Sequence, residues 1–182
     1  MGSGNKSSPS ANPRSASKKT VNVTLYHGSP NDNITSFDLS KASQNVSSGE
    51  HFIFFTDSKT FADEFSYERI QTSSSFINQK GKKGAVYQAN VTMKNPLDFN
   101  NLSSKDIKNI VSMDIDGILT EDDVKRYISM GNHQLLKSSF NINDISKYGY
   151  DGFIAKLGKK YGDALEYAVV NPNQIKNIKK QS

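Results

Sequence analysis

The layout of its short strand-like runs constrains this chain most. Residues 21–26, Val21-Asn22-Val23-Thr24-Leu25-Tyr26, alternate and are rich in β-branched side chains, which predicts a strand ending at the turn signal His27-Gly28-Ser29-Pro30. Phe52-Ile53-Phe54-Phe55 is an apolar run suited to a buried strand. Residues 85–93, 150–157 and 164–170 read as further strands, and 174–178 as a last short one. Between them, 60–69 reads as a short helix behind the capping segment Thr56-Asp57-Ser58, with Phe61, Ala62 and Phe65 at helical spacing. Residues 103–147 read as mostly helical, with starts at Ser103 and at Thr120-Glu121-Asp122-Asp123. Residues 71–84 read as an exposed loop, Ser-rich and then basic, and 158–162 as a basic hairpin loop. Short strands with hairpin-length connections late in the chain suggest an antiparallel α+β domain.

Residues 1–20 are Ser, Asn, Gly, Pro and Lys with almost no apolar side chain, so they are expected to be a disordered tail or linker. Residues 21–182 are then the folded domain, large enough to bury a core without staples. The chain has no cysteine, which removes disulfides, thiolate metal sites and cysteine nucleophiles. No apolar run reaches membrane-span length, and the N-terminus lacks the apolar core of a signal peptide. The expectation is a chain without a membrane partner, acting in a cytoplasm, with nothing that points to an oligomer. The net charge of +5, from 23 basic and 18 acidic residues, fits either plain solubility or attraction to a polyanion.

Three islands could carry chemistry: Tyr26-His27-Gly28-Ser29, Phe54-Phe55-Thr56-Asp57 with Phe65 beyond it, and Leu165-Glu166-Tyr167-Ala168-Val169-Val170. Glu166 stands inside an apolar strand, as either a solvent-face glutamate or a carboxylate at the rim of a cleft. His27 closes a strand, and the glycine after it permits close approach of a ligand to the backbone. Phe54 and Phe65 fit a core on pattern alone, and Tyr67 competes with Phe65 as the helix aromatic facing a site. His51 and His133 have no such setting and read as structural. Asp114, Asp116, Gly117 and Asp123 echo a calcium loop, but Ser112 would fill its first ligand position and Asp123 would replace its bidentate glutamate. Helix capping explains them better, so no metal site is expected. Gly81-Lys82-Lys83-Gly84 lacks the spacing of a phosphate-binding loop.

Together the islands resemble the ADP-ribosyltransferase superfamily, in the His-Tyr-Glu branch of diphtheria toxin and the poly(ADP-ribose) polymerases. They are similar, more narrowly, to small domains of phage polyvalent proteins and polymorphic toxins. Tyr26-His27-Gly28-Ser29 resembles the first motif. Ile53-Phe54-Phe55-Thr56-Asp57, then Ala62 and Phe65, resembles the second. Glu166-Tyr167-Ala168-Val169-Val170, leading into Asn171-Pro172-Asn173-Gln174-Ile175-Lys176, resembles the third. Asn95-Pro96-Leu97 and Tyr150-Asp151-Gly152 also look typical of the phage-type domains.

The resemblance implies a split pair of antiparallel sheets with flanking helices and NAD, as substrate, in the cleft between them. It implies that His27 hydrogen-bonds the adenine-side ribose and that the Gly28 backbone pairs with the nicotinamide amide. Phe54 and Phe65 would sandwich the ring, Glu166 would hold the 2′-hydroxyl of the nicotinamide ribose, and Ser29 joins the NAD-binding set. Two departures matter. Phe54 stands where the family has tyrosine, so the ring is kept and the hydroxyl lost. Ala164, two before Glu166, is neither the Glu of arginine-modifying toxins nor the Gln of asparagine- or glutamine-modifying ones. The implied activity is mono-ADP-ribosyl transfer to a host protein or nucleic acid, by a toxin, effector or phage protein. The alternatives are an NAD glycohydrolase, or a catalytically weak NAD-binding module. Lys80, Lys82, Lys83, Lys159 and Lys160 would form either a basic rim near the cleft or solvated loops.

Overall fold

The computed structural model describes residues 20–41, 52–71, 76–114, 116–131 and 142–181. The expected tail at 1–19 lies outside these, as do His51 and His133. The strands are β1 (Val21–Ser29), β2 (Ile53–Thr56), β3 (Tyr67–Gln71), β4 (Phe76–Lys83), β5 (Ala85–Met93), β6 (Leu97–Asp98), β7 (Gly152–Lys156), β8 (Leu165–Val169) and β9 (Ile175–Gln181). The helices among the described residues are α1 (Lys59–Glu64), α2 (Ser104–Met113), α3 (Glu121–Ser129) and α4 (Ile142–Lys147).

Seven strands form one sheet in the order β6-β7-β8-β2-β1-β5-β9, and β3 pairs with β4 in a separate ribbon. All pairs are antiparallel except β6 with β7. The architecture is α+β, as the sequence suggested. The two implied half-sheets are β6-β7-β8-β2 and β1-β5-β9, joined at a single register pair, Tyr26 with Thr56. By contrast β1 pairs with β5 along its whole length, from Val21 opposite Met93 to Ser29 opposite Ala85.

Side-chain alternation assigns the two faces. One carries Leu25, Ile53, Phe55, Ala89, Val91, Met93, Ile154, Tyr167, Val169 and Ile175, a core that crosses both half-sheets and takes in Phe37 and Leu39. On the other face, among the described residues, α2, α3 and α4 cover one half, while α1 sits over only the Gly28 end of the other. In the covered half Phe52, Phe99, Phe153, Ala155 and Ala168 pack beneath Ile110 and Met113 of α2, Val124 of α3 and Ile145 of α4. One core therefore holds the halves together from below, and α2, α3 and α4 load a single half from above.

The helix starts follow their capping residues. The Ser58 hydroxyl accepts from the Phe61 N–H, and Ser103 and Thr120 form capping boxes with Asp106 and Asp123. Each such cap contributes about 1 kcal/mol. The Asp114 carboxylate accepts from the Ile118 and Leu119 N–H groups at 2.8 Å in the turn before α3, and Asp123 completes the α3 capping box. Among the described residues no cluster of potential ligands could hold a metal ion.

Two segments differ from the sequence reading. The helix expected over 60–69 ends at Glu64, because Ser66 is buried and its hydroxyl donates to the Asp63 carbonyl at 2.7 Å, closing the last turn. Tyr67 is thus a strand residue rather than a helix aromatic. The loop expected over 71–84 contains β4, which pairs back on β3. Periodicity missed this ribbon because a two-stranded sheet with basic residues carries no apolar alternation.

Away from the split, three sequence stretches interlock. The Asp151 carboxylate accepts from the Lys94 and Asn95 N–H groups at 2.6 and 2.9 Å. The Asn95 side chain donates to the Gly149 carbonyl at 2.7 Å, and that of Gln174 to the Asp151 carbonyl at 2.8 Å. The Asn-Pro-Leu, Tyr-Asp-Gly and Asn-Pro-Asn-Gln stretches thus tie the strand ends together.

Candidate active site

The site lies where β1 and β2 part. The Asp57 N–H donates to the Leu165 carbonyl at 3.4 Å, which assigns Asp57 and, by alternation, Phe55 and Ile53 to hydrogen bonding with β8. Phe54 and Thr56 therefore aim their backbone groups at β1. Thr56 meets Tyr26, but the next pair, Phe54 with Gly28, does not form. In its place the His27 imidazole bridges the gap, with Nδ1 2.7 Å from the Phe54 carbonyl oxygen. The same alternation turns the Gly28 N–H and C=O into the gap.

A carbonyl only accepts, so Nδ1 of His27 carries the proton and Nε2 of the neutral ring is left as an acceptor. Burial pushes the imidazole below the ordinary histidine value of 6.5, against a smaller opposing effect of the Phe54 carbonyl. Phe37 meets the ring edge-on with centroids 4.9 Å apart, and Phe55 lies at 5.5 Å. Sequence reasoning marked Phe37 only as an anchor. No local pattern shows that it positions a histidine ten residues earlier.

Gly28 is required by packing. A Cβ there would stand 1.7 Å from the Ala62 carbonyl oxygen of α1. That contact places α1, and Phe65 at its C-terminal cap, directly over the glycine. Phe65 packs edge-on against Phe61, which packs against Tyr161 at 4.4 Å. The Tyr161 hydroxyl donates to Glu64 at 2.7 Å, docking the β7–β8 loop on α1.

Glu166 is half-buried on β8, in register with Thr56 of β2 and Ala155 of β7. Directly opposed residues share a face, so Ala155, Glu166, Thr56 and Tyr26 form one row across four strands. Gly28 and Phe54 lie on that face and His27 on the other. The histidine thus approaches the gap from below and the glutamate from above. Thr56, part of the second motif, is a buried polar residue in this row.

Phe54 is half-buried and packs on Phe52 and Phe153, at 6.0 and 6.1 Å between centroids. Its inner part belongs to the core, as its pattern allowed. The Ser29 hydroxyl accepts from the Asn31 N–H at 3.1 Å and stabilises the turn after β1. The expected basic rim is partly committed elsewhere. Lys83 pairs with Asp63 at 2.9 Å and Lys160 with Glu64 at 3.4 Å.

Residues 20–182 match the family described as ADP-ribosyltransferase in polyvalent proteins. The chain belongs to this family. No curated protein and no solved structure matches it. In this ADP-ribosyltransferase domain the three motif islands converge on one gap, although 27, 54 and 166 lie far apart in sequence. Among the described residues, no helix is long and apolar enough to cross a membrane.

Proposed function

We propose that this ADP-ribosyltransferase domain cleaves NAD at the nicotinamide–ribose bond and passes ADP-ribose to a macromolecular acceptor. The observation that carries the reading is the unmade Gly28–Phe54 pair, with the His27 imidazole bridging to the Phe54 carbonyl. A β-strand edge with free N–H and C=O groups matches a carboxamide, which offers one donor and one acceptor in the same plane. Nicotinamide there would lie beside Phe65 and the outer part of Phe54. His27 Nε2 accepts a hydrogen bond from a hydroxyl of the adenine-side ribose.

As the bond breaks, its electron pair leaves with the nicotinamide nitrogen and positive charge develops on the ribose carbon. Glu166 holds the 2′-hydroxyl of that ribose, so its carboxylate stabilises charge that exists only in the transition state. The acceptor then supplies the electron pair for the new bond and releases its proton to solvent. Losing the tyrosine hydroxyl at Phe54 leaves stacking intact and removes one hydrogen bond. A protein of a toxin, effector or phage acting in a cytoplasm is the setting that fits this activity.

The test is nicotinamide release from NAD by the purified chain, with and without host lysate. Release that rises with lysate, with label from NAD fixed on a macromolecule, supports transfer. Release unchanged by lysate and with no fixed label would show that water is the acceptor. No release in either condition would overturn the reading.

A further inference from the structure

The row that contains Glu166 does not stop at Tyr26. Tyr26 stands opposite Gln88, and Gln88 opposite Lys179. The next row outward is Thr24, Asn90 and Lys176, and then come Asn22 and Thr92. These side chains form the upper face of β1, β5 and β9, the half that α2, α3 and α4 leave uncovered. Asn22, Thr24, Asn90, Lys176 and Lys179 are exposed. Tyr26 is half-buried at the catalytic end of this shelf.

The shelf has one charge sign. No carboxylate occurs on β1, β5 or β9. Lys176 and Lys179, three apart, would point to opposite faces of a regular strand. A bulge prevents this. The β5–β9 register shifts between Gln88 and Asn90, and Asn177 takes a left-handed φ of 54°. The extra residue keeps Ile175 and Ile178 on the lower core and brings both lysines to the upper face. They stand about 7 Å apart, two residues of rise along β5. Tyr26 is about 10 Å from Lys179, two strands away.

We propose that this shelf receives the acceptor, and that the acceptor is a single-stranded nucleic acid. The proposal deepens the transferase reading by naming its substrate class. A flat sheet face with an aromatic ring, amides and hydroxyls that both donate and accept, and lysines at its edge suits exposed bases and a phosphate backbone. A protein partner would call for a cluster of aromatic or arginine anchors, and Tyr26 is the one such side chain among these shelf residues. The strand lies with its phosphates along Lys176 and Lys179. A base then reaches past Tyr26 toward Glu166, where its nucleophilic nitrogen or oxygen meets the ribose carbon.

The experiment uses the whole chain and fluorescent single-stranded DNA and RNA 20-mers of mixed sequence, followed by anisotropy over a salt series. The variant is Lys176→Gln with Lys179→Gln. The control, Lys105→Gln with Lys125→Gln, removes the same charge from the helical layer, and thermal melting confirms that both variants fold. The expected result is an affinity loss of about tenfold for the first variant at low salt, with a salt slope shallower by about 1.4, and wild-type behaviour in the control. Label from NAD should then appear on the oligonucleotide. Failure of the wild type to bind, or equal affinity in the two double variants, would overturn the proposal. So would competition by polyglutamate as strong as that by oligonucleotide. If NAD is not cleaved under any condition, the transferase reading fails, and the binding arm still decides whether the shelf holds nucleic acid.

Discussion

The imidazole of His27 and the carbonyl oxygen of Phe54, 2.7 Å apart, span the place where two adjacent strands cease to pair. Strand separation without this bridge would leave a carbonyl unsatisfied in a partly buried setting, at a cost of about 1–3 kcal/mol. The contact satisfies the carbonyl, sets the tautomer and keeps the gap open.

The bridge makes stability depend on pH. The unfolded chain takes up a proton at His27 near pH 6.5, and the folded chain only at lower pH, because burial disfavours the cation. The stabilisation by the neutral ring is therefore complete above pH 6.5 and is lost as pH falls through the folded value. The urea midpoint of the wild type should fall between pH 7.5 and 5.5 by more than that of His27→Gln. The two other histidines are common to both proteins and cancel in the comparison. An equal fall in both would refute a depressed, neutral His27.

Gly28→Ala should destabilise the fold as well as the site. The added methyl meets a backbone carbonyl of α1, which cannot rotate away as a side chain could. We expect a loss of about 3 kcal/mol in urea unfolding, with α1 displaced. A variant with wild-type stability would mean that α1 does not sit over β1 as described.

Asp151→Ala tests the interlocked strand ends. It removes the acceptor of two backbone N–H groups, and about 2–4 kcal/mol of stability should go with it. At a temperature where the variant remains folded, its KM for NAD should match the wild type. A change in KM without a change in stability would place Asp151 in the site instead.

Phe54→Tyr should fold and bind NAD. The position is half-buried, so a hydroxyl can point away from Phe52 and Phe153 at a cost of about 1 kcal/mol or less. Turnover is expected to stay level or rise. Complete loss of NAD binding, measured by calorimetry, would make Phe54 a core residue alone.

Much of this was legible in the sequence. The alternation at 21–26 and 85–93 marked β1 and β5, and Ser58, Ser103 and Thr120 marked the helix starts. The motif residues His27, Gly28, Phe54, Phe65 and Glu166 were all singled out. Three things were not legible. The β3–β4 ribbon replaces the end of a helix because Ser66 closes the helix on Asp63, a choice that local propensity does not record. Thr56 stood in the second motif, but its place in one row with Glu166 and Tyr26 comes from register alone. The two faces of the split, His27 below and Glu166 above, follow from a single pair, Tyr26 with Thr56, between residues thirty positions apart.

The central claim is that the gap between β1 and β2 binds NAD and that Glu166 acts there on the transition state. Glu166→Gln tests it most directly, because it removes the charge and keeps the shape. NAD affinity and the rate of nicotinamide release would be measured on the same preparation. We predict affinity within about threefold of the wild type and a rate lower by about 100-fold or more. An unchanged rate would contradict the account.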